Sequence, residues 1–146
     1  YTWLFMLYND DATIDAAMEP IEDYAGFSLY RASDDEKQAY VDETVDAFSD
    51  SNCAYVDVVT GNGGVPFYVY TMEDSDGSYF YAETIANGTS INFYAYYSDA
   101  AKDPDDALFS SLQNVLTSFA PITDGTTADY TTTDNASDEL TVTDAA

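Results

Sequence analysis

One dipeptide, Asn87-Gly88, constrains this chain more than any other feature, because it stands between two runs that read as strands, Ser78 to Ala86 and Thr89 to Ser98. A type I′ turn needs positive φ at both central residues, and Asn-Gly supplies that at least cost. Closing a hairpin on this pair sets Ala86 opposite Thr89 and fixes every other partner. Phe80 then faces Ala95, Tyr81 faces Tyr94, Ala82 faces Phe93 and Glu83 faces Asn92. A four-residue loop, Asp74-Ser75-Asp76-Gly77, adds the preceding strand, Val65 to Met72. Side chains alternate between the two faces of a sheet. Tyr68, Tyr70, Tyr79, Tyr81, Tyr94 and Tyr96 therefore gather on one face with Met72 and Glu83, while Phe67, Val69, Phe80, Ala82 and Phe93 take the other.

Two readings of the tyrosine face stay open. Cross-strand aromatic pairs stabilise a sheet by about 0.2–1 kcal/mol each, and such a face can lie beneath another segment. Tyr also buries a large ring while keeping its hydroxyl wet, so an open tyrosine face suits recognition of a glycan or a protein. On the second reading those six tyrosines are the candidate binding residues.

The remaining elements follow from local signals. Thr2 to Tyr8 is apolar throughout and reads as a strand. Asn9-Asp10-Asp11 offers N-caps for a helix on Ile14, Ala17, Met18 and Ile21, kinked at Pro20. Phe27 to Ala32 reads as a second strand. Ser33 and Glu36 form a capping box for a helix with Tyr40, Val41, Thr44, Val45 and Phe48 on one side. Cys53 to Val59 is a strand, and Gly61-Asn62-Gly63-Gly64 a loop. A last helix, opened by Asp103-Pro104, carries Leu108, Leu112, Val115, Leu116 and Phe119. The expected order is β-α-β-α-β-β-β-β-α, an α+β domain over residues 1–122 with a mixed or antiparallel sheet of about six strands and three helices. Residues 123–146 hold six acids, no base and eight Thr, and read as a tail or linker, with Leu140-Thr141-Val142 as the one strand-like piece.

The hairpin Tyr79-Phe80-Tyr81-Ala82-Glu83 to Ile91-Asn92-Phe93-Tyr94-Ala95-Tyr96, followed by the helix ending Leu116-Thr117-Ser118-Phe119, resembles the PsbP/Mog1-like fold of small bacterial envelope lipoproteins. The resemblance spans about residues 27–122 and rests on packing features. It implies a sandwich fold and an extracytoplasmic location, secreted or at the cell surface, and brings no catalytic motif.

Charge narrows the function. With 28 Asp+Glu, 3 Lys+Arg and no His, the formal net charge is −25, which argues against nucleic acid and anionic membrane as partners. No apolar run is long enough for a membrane span. Asp outnumbers Glu 21 to 7, a surface of halophilic type that is also compatible with secreted domains. The absence of His and the single Cys53 remove His triads and Cys-cluster metal sites. No cofactor is expected. Asp74, Asp76 and Gly77 begin like a calcium loop but lack its twelfth-position Glu, leaving a weak surface Ca²⁺ candidate against a plain hairpin turn. Glu83 is the one acid set mid-strand among aromatics, so an acid-only hydrolase would use it. The leading expectation is a non-enzymatic binding domain. A subunit of a surface layer or filament, self-assembling by strand exchange through residues 2–8 or 139–143, is the alternative.

Overall fold

A computed structural model describes residues 1–119. The acidic stretch 123–146, with its Leu140–Val142 segment, lies outside them. Six strands form one antiparallel sheet: β1 (Thr2–Tyr8), β2 (Ala12–Pro20), β3 (Ala54–Thr60), β4 (Pro66–Asp74), β5 (Gly77–Ala86) and β6 (Thr89–Tyr97), in the spatial order β1-β2-β6-β5-β4-β3. Two α-helices, α1 (Asp34–Ala47) and α2 (Asp106–Ser118), join three single-turn 3₁₀ segments, giving an α+β domain. No helix among the described residues is long and apolar enough to cross a membrane.

The hairpin register is the one set by Asn87-Gly88. Both residues have positive φ, 49° and 80°. Phe80 pairs with Ala95, Tyr81 with Tyr94, Ala82 with Phe93 and Glu83 with Asn92. The β4–β5 pairs, Tyr68 with Glu83 and Tyr70 with Tyr81 among them, also fall as expected. That turn is tighter than the expected four-residue loop, since Asp74 pairs with Gly77 and only Ser75 and Asp76 lie between them.

Two elements differ from expectation near the N-terminus. The helix expected around Ile14 is strand β2, which pairs with β1 on one side and β6 on the other. The ladder with β6 accounts for the difference, and Asn9 is compatible with either structure. Asn9 Oδ1 accepts from the backbone N–H of Asp11 at 2.7 Å and Ala12 at 2.9 Å, capping a hairpin turn with the chemistry that caps a helix. The strand expected at Phe27 to Ala32 is instead irregular chain with a 3₁₀ turn at Leu29–Arg31. Its polar groups engage the β5–β6 turn: Gly88 N–H donates to the Phe27 carbonyl at 2.8 Å, and Asn87 N–H donates to Ser28 Oγ at 2.7 Å. The order is thus β-β-α-β-β-β-β-α.

The helix caps form as their residue types require. Ser33 and Glu36 make the reciprocal capping box, at 2.8 and 3.2 Å. Helix α2 starts later than expected, with Asp105, not Asp103, accepting from Leu108 N–H at 3.0 Å. The two helices pack on opposite faces of the sheet. Leu108, Leu112, Leu116 and the following Phe119 pack on Phe67, Val69, Phe93, Ala16 and Ala95. On the opposite side Tyr40 and Val41 of α1, with Leu29 and Cys53, pack on Tyr68, Tyr70, Met72, Tyr81 and Ile85. Cys53 is a buried free thiol whose ionisation burial pushes up, as befits a small core residue.

Candidate functional site

All six tyrosines do lie on one face, but α1 divides them. Tyr68, Tyr70 and Tyr81 are buried beneath the helix, Tyr70 completely. An open recognition surface of six rings is therefore not what the fold presents. Tyr79, Tyr94 and Tyr96 stay half-buried beyond the helix. Tyr94 stands at the junction, its ring centroid 5.1 Å from that of Tyr81 and 5.6 Å from that of Tyr79.

At the centre of the covered part lies Glu83, only 8% exposed. Its Oε1 accepts from the Tyr40 hydroxyl at 2.5 Å, and its Oε2 accepts from Tyr81 at 2.9 Å and Ser90 at 2.5 Å. Asn92 Nδ2 donates to Ser90 Oγ at 2.9 Å and completes the chain of donors. Burial disfavours the ionised carboxylate and raises its pKa, against the opposing pull of the three hydroxyls. The Tyr40 and Tyr81 phenols are raised well above their ordinary range, first by burial and then by the Glu83 charge. Glu83 also borders a cleft of about 270 Å³ that includes Glu19, Asp23, Glu43 and Phe48. The Tyr24 hydroxyl donates to Glu43 Oε1 at 3.0 Å there.

The uncovered tyrosines border a second cavity, of about 350 Å³, where the β4–β5 turn meets the end of β6. Tyr79, Tyr94 and Tyr96 line it together with Asp15, Asp74 and Asp76. Asp15 enters from β2, the strand that the sequence reads as a helix, and so escapes detection there. It pairs with Tyr94 across the β2–β6 ladder. Its Oδ2 accepts from the Tyr96 hydroxyl at 3.1 Å. Its Oδ1 is buried and has no hydrogen-bond partner among the described residues. Burial pushes the Tyr94 phenol up to about 12, and burial followed by Asp15 raises Tyr96.

Asp74 and Asp76, the calcium candidates, serve the turn: Asp74 Oδ1 accepts from Asp76 N–H at 2.8 Å. Among the described residues no three His, Cys, Asp or Glu side chains are grouped to hold a metal ion. Arg31 lies with its guanidinium 5.0 Å from the Tyr30 ring centroid and 3.4 Å from Ser28 Oγ.

No protein-family model and no curated protein matches the chain.

Proposed function

We propose that this is a non-enzymatic extracytoplasmic binding domain. Its ligand site is the cavity at the open end of the tyrosine face, and its partner is a glycan or a protein. The observation that carries this reading is the division of the face: α1 covers Tyr68, Tyr70 and Tyr81, while Tyr79, Tyr94 and Tyr96 remain accessible around about 350 Å³. A concave site of that size with aromatic walls and a few polar groups is what small ligands and projecting side chains occupy. The non-enzymatic part draws support from Glu83. Although it borders a cleft, both of its oxygens accept from hydroxyls that tie α1 to the sheet, a structural use of the carboxylate. The acidic surface, solubilising in salt or outside the cell, suits the envelope-lipoprotein or secreted setting.

The test is a screen of the full chain on glycan and peptide arrays, repeated with Tyr96→Ala and with Tyr55→Ala. Tyr55 is an exposed ring on the edge strand β3 and serves as the control. Ligands lost with Tyr96→Ala and kept with Tyr55→Ala support the cavity. Ligands indifferent to Tyr96 overturn it.

One observation favours a second reading, assembly through β1. That strand is an edge of the sheet and exposes Trp3, Met6, Leu7 and Tyr8, with Trp3 at 55%. Unpaired apolar edges template strand addition. It pairs with β2 of the same chain, so assembly would add a strand at the outer edge and leave the hairpin intact. A mass measurement that stays monomeric at high salt and high concentration removes this reading.

A further inference from the structure

We propose that the tyrosine cavity selects an alkylammonium group, either free in a small amine or carried on a lysine side chain. The inference rests on the binding reading above and specifies the chemistry of the same site.

Three properties of the cavity converge on that chemistry. Its walls are the rings of Tyr79, Tyr94 and Tyr96, whose π faces attract a cation that has shed part of its water. Its charged groups are all carboxylates, Asp15, Asp74 and Asp76, and among the described residues no Lys or Arg lines it. An anionic ligand would therefore meet uncompensated negative charge on a chain already at −25. The third property is Asp15 itself. Tyr96 satisfies one carboxylate oxygen, whereas the other is buried without a partner among the described residues. A buried acceptor left unmade is costly, and a positive charge in the cavity offsets part of that cost through its field on the carboxylate, without touching the buried oxygen.

The same features exclude the nearest competitors. A bare divalent ion wants several hard oxygens converging on one point, and the described acids do not converge. A neutral sugar would stack on the rings but would leave the excess of carboxylate charge unanswered.

The experiment titrates the full chain with choline chloride and, separately, with 3,3-dimethylbutan-1-ol, which has the same shape and no charge. Tyrosine fluorescence or amide chemical shifts report binding, at high and constant ionic strength so that diffuse attraction to a −25 protein is screened. A Gly-Lys-Gly peptide forms the third arm and tells a lysine side chain from a free amine. We expect saturable binding of choline or the peptide, with the neutral isostere weaker by about tenfold or more. Asp15→Asn should weaken the cation by about tenfold, while Asp46→Asn, an exposed acid on α1, should leave it unchanged.

Equal affinity for choline and its isostere overturns the proposal, as does an effect of Asp46→Asn equal to that of Asp15→Asn. Asp15→Asn is isosteric and is checked for fold by its amide spectrum. Absence of cation binding, alongside an array ligand that still requires Tyr96, would overturn the alkylammonium chemistry and leave the cavity reading standing. Loss of Tyr96 dependence in every arm would overturn both.

Discussion

Replacing Tyr40 by Phe removes a single oxygen and leaves the ring in place, so it isolates what the Glu83 network contributes to holding α1 on the sheet. Tyr40 is almost completely buried, and its ring packs at 5.4 Å from Tyr68 and 6.0 Å from Tyr24, contacts that Phe retains. What disappears is the hydroxyl that donates to Glu83 Oε1 at 2.5 Å, leaving Oε1 without its donor in a buried site. Hydrogen bonds to charged groups contribute about 1.5–3 kcal/mol, so the ionised network should lose about 2 kcal/mol. For a domain of this size each kcal/mol is about 2–4 °C, which gives a fall in Tm of about 4–8 °C.

The dependence on pH separates this network from ordinary packing. Glu83 has a raised pKa in the folded protein, chiefly through burial. Its folded form prefers the proton. The stability it contributes is thus fully present below the ordinary Glu range, about 4.3, and is lost as pH rises through the raised folded value. Tyr40 donates to the charged form and pulls that value down, so Tyr40→Phe should cost more near pH 8 than near pH 5. Glu83→Gln keeps the shape and removes the charge, so it should abolish that difference and be neutral or stabilising near pH 8. Urea unfolding of the two single variants, the double variant and the parent, at fixed high salt and both pH values, measures the coupling directly. Variant-to-parent differences cancel the titration of the other acids. A Tyr40→Phe cost that is the same in the parent and in the Glu83→Gln background would refute the proposed linkage between helix and sheet.

Gly88→Ala should cost about 1–3 kcal/mol, because φ is +80° and the new Cβ would sit 3.1 Å from Ala25 Cα; thermal unfolding measures it, and a cost near zero would show the turn free to relax. Thr84→Val should stabilise by about 1 kcal/mol, since Thr84 Oγ1 is buried without a hydrogen-bond partner among the described residues; equilibrium unfolding of this near-isosteric pair decides it. Tm should rise with NaCl by on the order of 5 °C as the −25 charge is screened, and a flat salt profile would show the surface acids too dispersed to oppose folding.

The parts of this fold that can be read from the sequence are those whose chemistry is local. Asn87-Gly88 dictates its own turn, the period of two then carries the register through β4, β5 and β6, and Ser33 and Glu36 announce α1. Asn9 does not discriminate, because an Asx side chain caps a tight turn and a helix start with the same hydrogen bonds. The spacing of Ile14, Ala17, Met18 and Ile21 fits a helix, yet Ile14 and Ala16 go to the α2 side and Asp15 joins the tyrosines, because β2 has β6 to pair with. Pairing partners so distant in sequence leave no local mark.

The same limit hides the site. The stripe Tyr40, Val41 and Thr44 shows that α1 must bury a face, and Glu83 among tyrosines opposite Asn92 signals a polar cluster awaiting donors. Neither says that the two meet. Their meeting decides what remains open: a 14-residue helix is about 21 Å long and 10 Å wide, while six strands spaced by about 4.8 Å span about 24 Å across. One helix anchored at Glu83 cannot cover a sheet of that breadth. Tyr68, Tyr70 and Tyr81, under the anchor, become core, and Tyr79, Tyr94 and Tyr96, beyond it, become the wall of a cavity. The position of one buried carboxylate therefore sets the border between the covered and the open halves of a single tyrosine face.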